Sequence, residues 1–244
     1  MKQKTALVTG AASGIGKSVA ASFKEQGVRV FSLDNNWSDE LAQDEYNCDI
    51  GSENDIIQTL SKINSKTSHI DYLINVAGIF CRAGRYRIDE LPLDEWEQIL
   101  RVNLTGTFLM IKHSVPMLKR SGNGNIVNFS SEQTSLVQEK SAPYAITKAA
   151  IEMLTRISAT ELLDIRIKVN TIALAAVKTD FIKEYIGNDD VLEEMMADTD
   201  SKMPFGIILP DDVSDLVNYL VSESCKMTGQ TILVDSGVIL AKNK

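Results

Sequence analysis

The chain has 244 residues, 44% of them hydrophobic, and a formal net charge of -8 with a pI near 4.9. A chain of this length can bury one substantial core, so we expect a single domain over residues 1–244. The negative charge argues against nucleic acid and anionic membranes as partners, because both require a basic surface. No stretch approaches 18 uncharged apolar residues, and no signal for export or membrane insertion is recognisable. These features predict a cytoplasmic protein that acts on a small molecule.

The cysteines and histidines give no pattern of metal ligands. Cys48, Cys81 and Cys225 are odd in number and far apart, which indicates reduced thiols rather than a disulfide framework. His69 and His113 are the only histidines, and neither shares a spacing with cysteines or carboxylates. We therefore expect no metal site and no catalysis by histidine.

Apolar, β-branched runs alternate with helical stretches along the chain. The runs are TALVT, VRVFSL, IDYLIN, NIVNF, IRIKVNTI and QTILV, and a short extra strand is expected at EYNCD. Because parallel strands need a crossover helix between them, this alternation predicts an α/β fold with a doubly wound parallel sheet and helices on both faces. The apolar spacing predicts helical segments over 92–121 and 142–163.

The stretch TGAASGIG, residues 9–16, places glycines between the first strand and the first helix. Glycine permits a sharp turn and a close backbone approach, and a helix N-terminus offers unpaired N–H groups to an anion. Asp34 ends the second strand 24 positions after Gly10, near the spacing at which an acidic residue binds the adenosine ribose of NAD. The alternative is that Asp34 only begins a turn. Its repulsion of a 2′-phosphate predicts NAD rather than NADP.

Tyr144 and Lys148 lie four residues apart in YAITK and share one face of the predicted helix. Such a pair is weak evidence alone, because solvated helix faces often carry it. Its position strengthens it, since the helix follows the strand that ends at Ser130 and Ser131. A tyrosine with a pKa near 10 needs ~4 kcal/mol of preference for the phenolate to act near pH 7. A neighbouring ammonium and a bound nicotinamide can supply it.

Six motifs in order make the chain similar to the short-chain dehydrogenase/reductase (SDR) family, from about Lys4 to the C-terminus. They are TGAASGIG at 9–16, CDI at 48–50, NVAG at 75–78, VNLTG at 102–106, NFSS at 128–131 and YAITK at 144–148. The resemblance implies a Rossmann-like domain with a substrate lid at about 180–203. It also implies an oxidoreductase that moves a hydride between NAD and an alcohol or ketone, and assembly as a homotetramer or homodimer.

The resemblance further implies catalytic roles for four residues. Tyr144 exchanges a proton with the substrate oxygen, and Ser131 holds that oxygen. Lys148 binds the nicotinamide ribose and lowers the pKa of Tyr144, while Asn103 supports a water relay. The alternatives are a capping amide for Asn103 and a turn residue for Ser131.

The implied cofactor site is larger. Asp49 and Ile50 would flank the adenine, backbone at Asn75 and Ala77 would line the adenosine ribose, and Val177 and Thr179 would bind the carboxamide. The complete set is Gly10, Ser13, Gly14, Ile15, Gly16, Asp34, Asp49, Ile50, Asn75, Ala77, Gly78, Tyr144, Lys148, Val177 and Thr179. NADP-preferring members usually carry a basic residue where this chain has Ser13 or Asn35, which again favours NAD.

Three departures from the family pattern are visible in the sequence. Val76 replaces the second residue of a double Asn, and VDSG at 234–237 replaces VDGG. Leu174 and Ala175 replace Pro-Gly after the sixth strand, so the turn loses a fixed φ and a permissive glycine. We expect this last change to alter the placement of the carboxamide-binding loop.

The sequence leaves the substrate open. The predicted lid carries apolar residues at helical spacing, which suit an apolar substrate wall or a packed helical pair. They are Phe181, Ile182, Tyr185, Ile186, Leu192, Met195 and Met196. Arg82, Arg85 and Arg87 can clamp an anion or form an ordinary solvated loop.

Two other functions are compatible with the motifs. One is a 3-oxoacyl-(acyl-carrier-protein) reductase, an activity that generally uses NADPH, which Asp34 disfavours. The other is a nucleotide-binding regulator without turnover, suggested by the altered turn at Leu174 and Ala175. Intact Ser131, Tyr144 and Lys148 argue against the regulator.

Overall fold

The computed structural model describes residues 3–38, 40–80, 86–179, 181, 194 and 197–241. Seven strands in these residues form one parallel sheet: β1 (Thr5–Thr9), β2 (Arg29–Asp34), β3 (Glu45–Asn47), β4 (Tyr72–Asn75), β5 (Asn125–Ser131), β6 (Lys168–Leu174) and β7 (Thr231–Val234). Their order is β3-β2-β1-β4-β5-β6-β7. The predicted strands are thus confirmed, including the short one at EYNCD.

Helices lie between most successive strands, and a short one follows β7. They include α1 (Gly14–Glu25), α2 (Glu53–Lys66), α3 (Leu93–Ile99), α4 (Thr107–Ser121), α5 (Ala142–Glu161), α6 (Pro210–Val221) and α7 (Val238–Ala241). The predicted segment 92–121 is one continuous helix, because a π-helical stretch, Leu100–Gly106, joins α3 to α4. The helix predicted over 142–163 ends two residues earlier. None of the described helices is long and apolar enough to span a bilayer.

The sheet separates two cores. Ala6 and Val8 of β1 face the core that α1 and α6 cover, whereas Leu7 faces the core that α2, α4 and α5 cover. All three residues are completely buried. Alternate side chains of a strand point to opposite faces, so a strand buried on both sides is apolar throughout. This is the Rossmann-like architecture that the alternating pattern predicts.

The order of the strands reverses beside β1. The chain builds β2 and β3 on one side of β1 and then crosses to place β4 on the other side. The carboxyl ends of β1 and β4 lie together there, with Thr9 opposite Asn75. A crevice outside the strand ends is the usual ligand site at such a reversal. The predicted motif residues follow these strand ends.

Candidate active site

The loop of residues 10–16 is packed so closely that its glycines cannot carry side chains. Gly10 has φ +67°, and a Cβ there would lie 2.9 Å from the backbone nitrogen of Ala77. A Cβ at Gly16 would overlap the carbonyl oxygen of Gly10. Ser13 caps α1 through its backbone position only, without a hydrogen bond from its side chain to the helix. The N-terminus of α1 therefore fits a phosphate group, as a dinucleotide site requires.

Asp34 is fixed between two loops at the end of β2. Its Oδ2 accepts from the N–H of Ala12 at 3.0 Å, and its Oδ1 accepts from the N–H of Asn36 at 3.0 Å. The indole nitrogen of Trp37 donates to the carbonyl oxygens of Asp34 and Tyr46, each at 3.1 Å. Asp34 thus stabilises a turn after β2, which was the alternative interpretation of this residue. It also contacts the glycine loop. Its carboxylate is partly exposed, and the contact with an adenosine ribose stays a prediction.

The predicted adenine pocket contains an ion pair that the motifs did not reveal. Asp49 accepts from the N–H of Gly51 at 2.8 Å and from Arg101 at 3.0 Å. Arg101 belongs to the π-helical stretch. Ile50 is buried, and its carbonyl oxygen lies 2.9 Å from where a Cβ on Gly106 would be. The adenine side of the site is therefore packed against the helix that carries Asn103.

The loop after β4 presents its backbone to the glycine loop. The Asn75 side chain is buried and donates to Asn128 Oδ1 at 2.8 Å, so it points into the sheet. The N–H of Ala77 donates to Thr9 Oγ1 at 3.1 Å. Because the Ala77 N–H is already used by Thr9, the Asn75 and Ala77 carbonyls are the backbone groups left to contact a ribose, and that contact stays a prediction. A Cβ at Gly78 would lie 3.2 Å from Asn103 Oδ1, so this glycine keeps the loop close to the helix.

Asn103 is completely buried in the π-helical stretch. Its Oδ1 accepts from the N–H of Ile79 at 2.8 Å, and its Nδ2 donates to the Ile79 carbonyl at 2.9 Å and to Thr147 Oγ1 at 3.4 Å. Asn103 therefore ties the loop after β4 to α5. π-Helical insertions often occur at functional sites, because the extra residue redirects a side chain. The water relay stays a prediction for this residue.

Tyr144 and Lys148 project from the first turns of α5. The Lys148 Nζ donates to the carbonyl oxygen of Phe129 at 3.0 Å and lies 5.5 Å from the centroid of the Tyr144 ring. Phe80 packs edge-on against Tyr144, with ring centroids 4.8 Å apart. Burial lowers the pKa of Lys148 to about 8. The site therefore holds a buried ammonium next to a half-buried phenol.

Ser131 is the last residue of β5 and begins a short 3₁₀ turn, Glu132–Thr134. Its Oγ accepts from the N–H of Gln133 at 3.3 Å and donates to Glu132 Oε2 at 3.1 Å. A hydroxyl has one proton to donate, so Ser131 must leave Glu132 before it can donate to a substrate oxygen. The motifs gave no signal for Glu132, because its contact depends on the shape of the turn.

The segment after β6 approaches the glycine loop from the other side. Leu174 is buried in the core beside α1 and α6, and the N–H of Ala175 donates to the Val234 carbonyl at 3.0 Å. Thr179 packs 3.2 Å from where a Cβ on Gly14 would be. Of the two predicted carboxamide-binding residues, Thr179 therefore lies against the glycine loop, whereas Val177 pairs with Ile208. The N–H of Phe181 donates to Thr179 Oγ1 at 3.4 Å.

Several predicted features lie outside the described residues: Cys81, Arg82, Arg85, and the lid residues Ile182, Tyr185, Ile186, Leu192, Met195 and Met196. Arg87 is described and is exposed in an ion pair with Asp89 at 3.2 Å. His113 forms a contact with Glu53 at 2.8 Å. Among the described residues, no group of three or more His, Cys, Asp or Glu side chains could hold a metal ion.

Comparison with known proteins defines the class. A family model described as enoyl-(acyl carrier protein) reductase matches residues 10–239, and the chain belongs to the short-chain dehydrogenase/reductase family. It is thus an oxidoreductase of alcohols or ketones that uses a nicotinamide cofactor. The match covers nearly the whole chain, as the six motifs predicted.

Three similar proteins illustrate the range of this family. The NAD-dependent glycerol dehydrogenase of Listeria innocua is 31% identical over 244 residues, which cover 96% of this chain and 93% of that protein. The aldohexose dehydrogenase of Thermoplasma acidophilum is 28% identical with a TM-score of 0.90, over 98% of this chain and 95% of that one. The 3-ketoacyl-(acyl-carrier-protein) reductase of Brucella melitensis, solved with NADH, is 26% identical with a TM-score of 0.84, over 96% and 98%.

The lowered pKa of Lys148 makes the stability of the protein depend on pH. The folded pKa of about 8 lies below the ordinary value of 10.5, so the unfolded chain binds more protons between these two values. The contribution of Lys148 to the free energy of unfolding should therefore rise with pH between about 8 and 10.5, by up to about 3 kcal/mol. Denaturant unfolding of wild type and Lys148→Met across this range measures it.

The difference in the free energy of unfolding between wild type and Lys148→Met reports the contribution of Lys148. Burial raises the pKa of Cys48 to about 11, which has the opposite effect on stability, but both proteins contain Cys48 and its effect cancels. Lys24→Met is the control, because Lys24 is exposed on α1. A difference between wild type and Lys148→Met that does not change with pH would contradict the assignment.

Proposed function

We propose that the chain is an NAD-preferring dehydrogenase or reductase of alcohols and ketones, with Asn103, Ser131, Tyr144 and Lys148 as its catalytic residues. The observation that carries the proposal is the buried Lys148 ammonium, 5.5 Å from the centroid of the Tyr144 ring. A Cβ on Gly78 would lie only 3.7 Å from Lys148 Nζ, so the ammonium also borders the loop that faces the cradle. The proposed proton donor and the proposed cofactor site thus meet at one charged group.

In the proposed mechanism, Tyr144 carries the proton in both directions of the reaction. A bound nicotinamide would supply or accept the hydride. In the direction of reduction, the Tyr144 phenol gives its proton to the substrate oxygen, and in oxidation the phenolate takes the proton back. The positive charge of Lys148 favours the phenolate by Coulomb attraction. The Ser131 hydroxyl leaves Glu132 and donates to the substrate oxygen, which holds that oxygen for the transfer.

The preference for NAD is supported by charge. Asp34 places a carboxylate where a 2′-phosphate would have to fit, and neither Ser13 nor Asn35 offers a positive charge to bind it. The similar glycerol dehydrogenase is NAD-dependent by name, and the similar reductase from Brucella was solved with NADH. The second example means that NAD use is compatible with a 3-oxoacyl-(acyl-carrier-protein) reductase. That activity is the second candidate, and the description of the matching family model favours testing it.

A substrate assay separates the two candidates. Small polyols, sugars and simple ketones represent the first candidate, and a 3-oxoacyl thioester represents the second.

The net charge of -8 disfavours an acidic carrier protein as the partner, since both surfaces would repel each other. The regulator without turnover has least support, because the chain belongs to a family of oxidoreductases.

We also propose a cytoplasmic location. Cys48 and Cys225 are both buried free thiols. Burial raises the pKa of Cys48, which keeps it as an unreactive thiol. Reduced, buried cysteines are typical of proteins from a reducing compartment.

The cofactor preference gives a first test. NAD(H) should bind at least about tenfold more tightly than NADP(H), since repulsion of a 2′-phosphate by Asp34 is on the order of 1.4 kcal/mol or more. Asp34→Ala combined with Asn35→Arg should reverse this preference, as measured by titration of each cofactor. Asp34→Asn is the matched control, because it removes the charge while its one amide oxygen can still accept from Ala12; the contact of Oδ1 with Asn36 is lost. Equal or tighter binding of NADPH to wild type would refute the proposal.

The proton donor gives a second test. Tyr144→Phe should lower kcat/KM at least about 10²-fold, the effect of losing a general acid, and leave NAD binding nearly unchanged. Lys148→Met should reduce activity further, because it removes both the charge and the proposed ribose contact. Tyr219→Phe is the control, since Tyr219 is half exposed on α6. If Tyr144→Phe turned over a confirmed substrate at nearly the wild-type rate, the assignment would be wrong.

The oligomer gives a third test. We propose a homotetramer, because α4 and α5 expose large apolar side chains, namely Phe108, Met153 and Ile157, each 45–50% exposed. The edge strand β7 likewise exposes Leu233. Sedimentation velocity should give a tetramer, and Ile157→Asp should dissociate it. Ile57→Asp is the control, since Ile57 has similar exposure on α2. A wild-type monomer at micromolar concentration would exclude the assembly.

A further inference from the structure

The carboxylate of Glu152 joins the helix that carries the proposed proton donor to the turn that carries Ser131. Glu152 lies on α5, four residues after Lys148, and therefore on the same helix face. Its Oε1 accepts from Ser130 Oγ at 2.8 Å and from Thr134 Oγ1 at 2.9 Å. These two hydroxyls stand on either side of Ser131 in the chain. One oxygen atom thus connects both ends of the Ser131 turn to α5.

We infer that Glu152 is a positioning residue, which keeps the Ser131 hydroxyl aligned with the Tyr144 phenol. The inference rests on the proposed function, because it concerns the same site. Ser131 begins the 3₁₀ turn, and its hydroxyl is oriented by the N–H of Gln133 within that turn. Tyr144 is fixed by α5. The Glu152 contacts therefore determine how far the two reacting hydroxyls can move relative to each other.

The effect of Glu152 is geometric and does not require its charge. A glutamine at this position retains an Oε1 that can accept from both hydroxyls. An alanine removes the acceptor, but neither hydroxyl loses all its partners. A hydroxyl donates its single proton to one acceptor at a time. Without Glu152, the Ser130 proton can turn to the Lys148 carbonyl and the Thr134 proton to the Ser131 carbonyl, each 3.1 Å away. Because no buried donor is left unpaired, the alanine variant should fold.

A double-mutant cycle tests whether Glu152 acts through Ser131. Glu152→Ala should lower kcat about tenfold with little change in the Kd for NAD, because small misplacements of catalytic groups are costly. Glu152→Gln should stay within about threefold of wild type. In the Ser131→Ala background, Glu152→Ala should cost no more than about a further twofold, since the group it positions is gone. Glu161→Ala, at the exposed end of α5, is the control.

Hydrogen exchange supplies a readout that does not depend on activity. The N–H groups of Ser135 and Leu136 donate to the Glu132 carbonyl at 2.9 and 2.7 Å, and that of Gln133 donates to Ser131 Oγ. In the cofactor-free protein, Glu152→Ala should speed exchange of these three amides about tenfold, because the turn opens more often. Glu152→Gln and Glu161→Ala should leave them unchanged.

The outcomes separate this inference from the proposed function. If Ser131→Ala and Tyr144→Phe had no effect on turnover, the proposed function would fail, and with it the positioning role. If Ser131→Ala left a reduced but measurable rate and Glu152→Ala lowered that rate by its full further tenfold, only the role of Glu152 would be refuted. Unchanged exchange of the turn amides in Glu152→Ala would refute it as well, whatever the activity.

Discussion

Burial of the Lys148 ammonium is the constraint on which the rest of the site depends. A charged amine leaves water only if other groups hold it, and this one donates to the Phe129 carbonyl at 3.0 Å from a position on α5. The contact fixes α5 against β5 at the place where Ser131 ends the strand. It also brings the ammonium next to Gly78, where a Cβ would be in ordinary van der Waals contact with it at 3.7 Å. Strand, helix and loop therefore meet around a single positive charge.

A second set of polar contacts extends this constraint through the sheet. Asn75 donates to Asn128, Asn128 Nδ2 donates to Thr155 Oγ1 at 2.8 Å, and Thr155 is hydrogen-bonded to Thr171. These buried groups connect β4, β5, α5 and β6. Although Asn75 Oδ1 has no hydrogen-bond partner among the described residues, the bonds between these four side chains favour one arrangement of the elements, because another arrangement would break them. The same helix that presents Tyr144 is thereby held in register with the strands whose ends form the crevice.

The features that the sequence could predict are those encoded in local patterns. Strands follow from apolar runs, the cradle follows from glycines that a turn requires, and the site follows from motif residues placed at strand ends. Arg101, Glu132 and Glu152 were not predicted, because each acquires its contact only when distant elements meet. The π-helical stretch around Asn103 was also missed, since its residues have the apolar spacing of an ordinary helix.

This chain has Leu174 and Ala175 where the family usually has Pro-Gly. Tertiary contacts can hold the backbone that Pro-Gly would restrict locally. The ladder between β6 and β7 continues to Ala175, and the following segment pairs with Ile208, whose carbonyl accepts from the N–H of Lys178 at 2.8 Å. Ile208 lies two residues before the start of α6. Backbone pairing with a neighbouring segment can fix this loop without proline. The position of the loop then depends on the position of α6.

That position is itself determined by α1. Ser18 Oγ donates to Asp211 at 2.8 Å and is hydrogen-bonded to Ser214 at 2.7 Å, and Asn218 donates to Ser22 at 2.9 Å. The helix that begins at the glycine cradle therefore also anchors the helix that holds the loop after β6. The glycine loop and the loop after β6 form the two sides of the proposed cofactor site, and both are held by the pair α1 and α6. These contacts hold the loop although Leu174 and Ala175 do not restrict the backbone as Pro-Gly would, and the altered placement of the loop stays a prediction.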